Sequence, residues 1–70
     1  MNTTTNMEKV FTASNRNMML AGMVFENLTT GKYHVVLRDL DAEENAPIVK
    51  IFPREMYKAA CEYASKVAGF

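Results

Sequence analysis

A chain of 70 residues with 8 basic and 8 acidic side chains, and therefore no net charge, is expected to form one small domain. Its single cysteine, Cys61, excludes an internal disulfide, and its single histidine, His34, excludes a zinc site built from several cysteines and histidines of one chain. The lack of a basic excess disfavours nucleic-acid binding. No apolar run approaches the roughly 18 residues that a membrane-spanning helix needs.

The first 17 residues, MNTTTNMEKVFTASNRN, are rich in Thr and Asn and contain one short apolar pair, Val10–Phe11. We predict a flexible or arm-like segment, 1–17, ahead of a single α+β domain, 18–70. In an alternative fold the arm pairs with the sheet. The start has no apolar stretch of the kind found in signal peptides, which favours a cytoplasmic location.

The stretch FENLTTGKYHVVL predicts a β-hairpin whose three-residue loop ends at Gly31 in the left-handed conformation. This register creates one apolar face for a helix. The facing pairs on it are Phe25 with Val35 and Met23 with Leu37. A phosphate-binding loop is excluded because the TTGK segment has no second glycine and lies between two strands instead of between a strand and a helix.

The remaining elements follow in chain order. The short β-branched segment PIVKIF, 47–52, predicts a third strand. From Pro53 onward, the spacing of apolar residues predicts an alanine-rich amphipathic helix that ends at Gly69 in the left-handed conformation. The predicted fold is α+β, an antiparallel three-stranded β-meander with one C-terminal α-helix packed on one face, or ββββα if the arm pairs.

An acidic segment between the last two predicted strands is the first candidate binding site. Its acidic residues are Asp39, Asp41, Glu43 and Glu44. The glycine and the final glutamate of a calcium-binding EF-hand loop are missing at the required spacing, so no metal site is predicted. The segment is expected to be a solvated loop or, alternatively, an acidic protein-binding patch.

The sheet face away from the helix is the second candidate for protein binding. In the predicted register it holds Leu20, Val24, Val36 and Leu40, joined by Ile48 and Phe52 or by Val49 and Ile51. A sheet with one helical layer keeps its other face polar unless something covers it. The apolar pattern therefore predicts a cover, which is the N-terminal arm, a second copy of the chain in a homodimer, or a foreign protein.

No catalytic constellation is recognised. In the predicted register His34 faces Glu26, which we interpret as a cross-strand polar pair because no nucleophile lies nearby. Cys61 falls at the edge of the helix's apolar arc, which favours a buried small side chain over a reactive thiolate. We expect neither enzymatic activity nor a cofactor.

Two classes of function remain. The favoured one is a small non-enzymatic protein-binding module. Chains of this size and build resemble the small accessory proteins of phages and mobile elements, which implies binding and inhibition of a host protein, such as a CRISPR or other defence effector. The alternative is a small dimeric nucleic-acid-binding or transcription-regulating protein that reads its target with strand residues. Those residues would be Lys32, His34, Arg38 and Lys50.

Overall fold

The computed structural model describes residues 6–41 and 47–70, and within them four strands and one helix follow in the order ββββα. The elements are β1 (Met7–Asn15), β2 (Leu20–Asn27), β3 (Tyr33–Asp39), β4 (Ile48–Phe52) and α1 (Tyr57–Val67). The strands form one antiparallel sheet in the order β1-β2-β3-β4. The predicted α+β class with one C-terminal helix is confirmed, in its ββββα form.

Strand β1 lies inside the segment that was expected to be flexible or arm-like. It pairs with β2 from Met7 opposite Asn27 to Asn15 opposite Leu20, with a bulge at Val10. Residues 7–15 thus extend the sheet at its edge, as in the alternative in which the arm pairs, and they do not cover a sheet face.

Alanines on α1 allow the helix to pack closely on the sheet. Ala60 and Ala64 are fully buried and form the core with Val24, Val35 and Phe52. At the centre of the contact, a Cβ atom added to Gly22 would overlap the carbonyl oxygen of Ala64 and lie 2.7 Å from its carbonyl carbon. Only glycine at this position allows the helix to lie so near β2, because every other residue carries a Cβ.

The register between β2 and β3 differs by one residue from the predicted one. Val24 pairs with Val35 and Gly22 pairs with Leu37, so these residues share the face beneath α1. The predicted helix-facing set was therefore right for β3 and wrong for β2. Met23 and Phe25, which were predicted to contact the helix, lie on the opposite face because adjacent strand residues point to opposite sides.

The four-residue loop between Asn27 and Lys32 explains this register. The Asn27 N–H donates to the Lys32 carbonyl at 2.8 Å. The Asn27 Oδ1 atom accepts hydrogen bonds from the N–H groups of Thr29 at 2.9 Å and Thr30 at 3.1 Å. Gly31 adopts the predicted left-handed conformation with φ +81°. The side chain of Asn27 therefore stabilises a loop one residue longer than the predicted one.

Helix α1 begins at Tyr57. We predicted its first residue to be Pro53, four positions earlier. The intervening residues form a turn in which the Met56 N–H donates to the Pro53 carbonyl at 3.0 Å. At the other end, Gly69 has φ +99° and its N–H donates to the Lys66 carbonyl at 3.0 Å. The predicted left-handed helix end is confirmed.

The variant Gly22→Ala tests the close approach of the helix. In an ordinary strand this change stabilises by roughly 0.5–1 kcal/mol because alanine loses less entropy on folding. Here we expect a loss of about 1–3 kcal/mol, since the helix backbone must move to accept the methyl group. Urea denaturation measures the change, and an unchanged or higher midpoint would contradict the proposed contact.

The variant Asn27→Ala tests the loop. It removes the acceptor of the two hydrogen bonds to Thr29 and Thr30, so we expect a loss of about 1 kcal/mol in the free energy of unfolding. Asn27→Asp is the matched control, because it keeps the acceptor oxygen, and it should retain most of the stability. Equal losses in both variants would show that the oxygen is not what stabilises the loop.

Candidate functional site

The sheet face opposite α1, here called the open face, is apolar and has no helix over it among the described residues, although Ala21 and Val36 at its centre are buried. Side-chain alternation and the observed pairing define it, because Gly22, Val24 and Val35 face the helix and their strand neighbours face away. Its central side chains are Ala21, Met23, Phe25, His34, Val36, Ile48 and Ile51.

Six of these side chains form two rows that cross the sheet. The rows are Met23–Val36–Ile48 and Phe25–His34–Ile51. Met23 and Phe25 are half-buried, whereas Ile48 and Ile51 at the β4 end are 52% and 49% exposed. The bulge between β3 and β4 explains why these two isoleucines share a face although they are three residues apart. Neither predicted set, Ile48 with Phe52 or Val49 with Ile51, placed the two isoleucines on the same face.

His34 lies in the second row with apolar neighbours on both sides. It pairs with Phe25 and Ile51, whereas Glu26 pairs with Tyr33 on the helix side of the sheet. The predicted His34–Glu26 pair is therefore wrong, for the same one-residue difference in register. The Nδ1 atom of His34 is buried without a hydrogen-bond partner among the described residues. This geometry offers no acid–base pair.

The structure places the four apolar residues predicted for the uncovered face at different positions. Val36 lies on the open face as predicted. Val24 is fully buried in the core beneath α1, and Leu20 lies on the same side of β2, so their predicted position is wrong. Leu40 follows the end of β3 in an exposed turn, and its N–H donates to the Met19 carbonyl at 2.9 Å.

The predicted acidic patch is only partly described. Asp39 ends β3 and Asp41 lies in the turn after it, both exposed, and the Asp39 Oδ1 atom accepts a hydrogen bond from the Asp41 N–H at 2.9 Å. Glu43 and Glu44 lie outside the described residues. Within 6–41 and 47–70, no group of three His, Cys, Asp or Glu side chains could hold a metal ion. A protein-binding role of the acidic segment stays a prediction.

The four residues of the nucleic-acid alternative do not share one face. Lys32, His34 and Arg38 lie on the open side by strand alternation. Lys50 lies on the helix side instead, with its Nζ atom 5.4 Å from the ring centre of Phe52 and 5.6 Å from that of Tyr63. Its predicted place beside the other three is wrong, because Lys50 pairs with Val35, which faces the helix.

Sequence reasoning missed the roles of Met23, Phe25 and Lys9 on the open face. Lys9 pairs with Phe25 across the β1–β2 ladder. One signal was present in the sequence: the Asn before the TTG turn can accept hydrogen bonds from the backbone two and three residues later, which favours the longer loop. The bulges at Val10 and Val49 have no such signal.

Tyr57 and Cys61 form a second polar group, at the beginning of α1. The Tyr57 hydroxyl donates to the Val10 carbonyl at 3.3 Å, and its ring centre lies 5.2 Å from that of Tyr33. A side-chain hydrogen bond with Cys61, one helical turn away, raises the pKa of Tyr57 above 10.0, with desolvation as a smaller cause. Cys61 itself is half-buried and packs against the core. This group links α1 to β1.

Comparison of the chain with protein-family models, curated proteins and solved structures finds no significant match in any of the three. No helix in the described part of the chain has the length and hydropathy required to cross a membrane. The open face is therefore interpreted from its own geometry.

The raised pKa of Tyr57 gives a pH prediction. Because the folded pKa lies above the ordinary value of 10.0, the contribution of this hydroxyl is fully present below that pH and is lost as the pH rises through the folded pKa. The stability advantage of the wild type over Tyr57→Phe should therefore shrink in alkaline solution.

Urea midpoints over a pH series, with phenolate absorbance to follow ionisation, measure this effect. Cys61→Ala is the control variant, since it removes the largest cause of the shift and should lower the pKa of Tyr57 towards 10.0. A difference titration between wild type and Tyr57→Phe with its midpoint at or below 10.0 would contradict the assignment.

Proposed function

We propose that this chain is a small non-enzymatic protein-binding module and that the open face is its binding surface. The observation that carries the proposal is the apolar, partly exposed pair of cross-strand rows on a sheet face with no helix over it. A contiguous exposed apolar patch of this kind is typical of protein-interaction sites.

The composition of the face supports the same function. Aliphatic side chains and methionine dominate it, and Met23 beside Phe25 offers an adaptable surface next to a rigid ring. Partner binding would also add to the stability of a domain whose own core is small, because a ligand that binds only the folded chain stabilises it. The proposal places the chain in the cytoplasm, as the sequence predicts.

Two finer hypotheses belong to this proposal. The likeness in build to accessory proteins of phages and mobile elements suggests that the partner is a host protein whose activity is blocked, such as a defence effector. A nucleic-acid-binding function is the second candidate, and the observation that favours it is the presence of Lys32, His34 and Arg38 on the same side as Phe25.

Affinity capture with matched variants tests the binding surface. The variants are Ile48→Lys on the open face and Leu28→Lys in the β2–β3 loop, because these aliphatic side chains are 52% and 53% exposed. We expect the wild type and Leu28→Lys to recover the same host protein in stoichiometric amount from a nuclease-treated lysate. Ile48→Lys should recover about tenfold less or nothing.

Circular dichroism and thermal melting first establish that all three proteins are folded. Recovery of the same protein by all three would show that the partner binds elsewhere. Recovery of the bait alone would contradict a protein-binding function in that host.

A further inference from the structure

Charged side chains are sorted between the two sides of the sheet. Along β1 and β3, oppositely charged residues are direct neighbours in the chain: Glu8 precedes Lys9, and Arg38 precedes Asp39. Because adjacent strand residues point to opposite sides, each pair sends its cation and its carboxylate in opposite directions. Strands β1 and β3 therefore present their cations and their carboxylates on different sides of the sheet, whereas the cation of β4, Lys50, lies on the helix side.

The cations of these pairs lie on the open side. Lys9 pairs with Phe25 and Arg38 pairs with Ala21, both of which belong to the open face. Lys32, directly before β3, lies on the same side by alternation, and all three cations are exposed.

The carboxylates lie on the helix side. Glu8 pairs with Glu26, and Asp39 pairs with Leu20. Among residues 6–41 and 47–70, no acidic strand residue faces the open side. The open face therefore has an apolar centre with one cation on β1 and one at each end of β3.

We propose that the occupant of the open face is a foreign protein whose contact surface has an apolar centre bordered by aspartate or glutamate carboxylates. This inference rests on the proposed function and adds the chemistry of the partner. Lys32 and Arg38 lie at the two ends of β3, about 20 Å apart along an extended strand. Carboxylates of the partner are expected at a similar separation, since complementary charges set the orientation of an interface.

A second copy of the chain fits this surface poorly. Two open faces stacked on each other would bring together two sets of Lys9, Lys32 and Arg38, and no carboxylate of the described strands faces that side to balance them. Like charges across an interface oppose association.

Nucleic acid fits less well than an acidic protein surface. Single-stranded nucleic acids bind on aromatic platforms, where each base stacks on a ring. The open face offers Phe25 and His34 as its flat groups, while the rest of its centre is aliphatic. A protein partner can bury these aliphatic side chains against apolar side chains of its own.

Charge reversal on the open face tests the inference. The variants are Lys9→Glu, Arg38→Glu and their combination. The matched control is Lys58→Glu, at an exposed position of α1, which changes the net charge by as much as either single reversal. The probe is the host protein recovered with the wild type in the capture experiment, purified and titrated at NaCl concentrations from about 0.1 M to about 1 M.

We expect each reversal on the open face to weaken binding by about tenfold or more and to reduce its salt dependence. Lys58→Glu should change affinity by less than about twofold. Replacement of a partner carboxylate by lysine should restore binding of Arg38→Glu, which a purely structural role of Arg38 would not produce.

Failure of the charge inference and failure of the proposed function give different results in these experiments. If Ile48→Lys abolishes binding while the reversals do not, the charge inference is wrong and the proposed function stands. If no protein is recovered, both are overturned for that host. A wild-type dimer in sedimentation velocity that Ile48→Lys dissociates would make a second copy the occupant. Tight binding of fluorescein-labelled oligouridine that Arg38→Glu weakens would make the occupant a nucleic acid.

Discussion

The contact between Gly22 and the backbone of Ala64 determines how the rest of the molecule is arranged. A helix can lie this close to a strand only where the strand has no Cβ, so this glycine specifies which side of β2 faces α1. Val24 follows on the same side and is fully buried. Met23 and Phe25 consequently face away from the helix, and their position on that side of β2 makes the open face apolar.

The same contact limits the size of the core. The helix side chains that meet the sheet are chiefly alanines, and the largest fully buried side chains are Val24 and Val35. Each buried valine contributes about 1.5–3 kcal/mol, so a core of this kind is small even for a domain of 70 residues. Phe52 is the one aromatic side chain of the buried cluster. Three further bulky apolar residues, Phe25, Ile48 and Ile51, lie on the opposite side of the sheet.

Sequence reasoning was reliable where one local signal was decisive. The alanine pattern and Gly69 predicted the helix and its end, and Gly31 predicted the turn between β2 and β3. It failed for the register of β2, because apolar residues occupy both sides of that strand and hydrophobicity could not choose between them. The hydrogen bonds of Asn27 and the contact at Gly22 decide the register, and the second of these is a tertiary contact that no local pattern records. The open face was therefore predicted to exist, but with only Val36 among its four named residues on it.

Strand β4 has a further consequence for the behaviour of the chain in solution. It is an edge strand rich in branched aliphatic residues, the type of segment that seeds β-aggregation when another strand can add to it. Pro47 and Pro53 stand immediately before and after it, a bulge interrupts its ladder, and Lys50 turns a cation towards the helix side. Prolines, bulges and inward-pointing charges are the features by which natural proteins discourage fibril growth at a sheet edge. They act as gatekeepers, so that an apolar surface can stay exposed without recruiting further strands to its border.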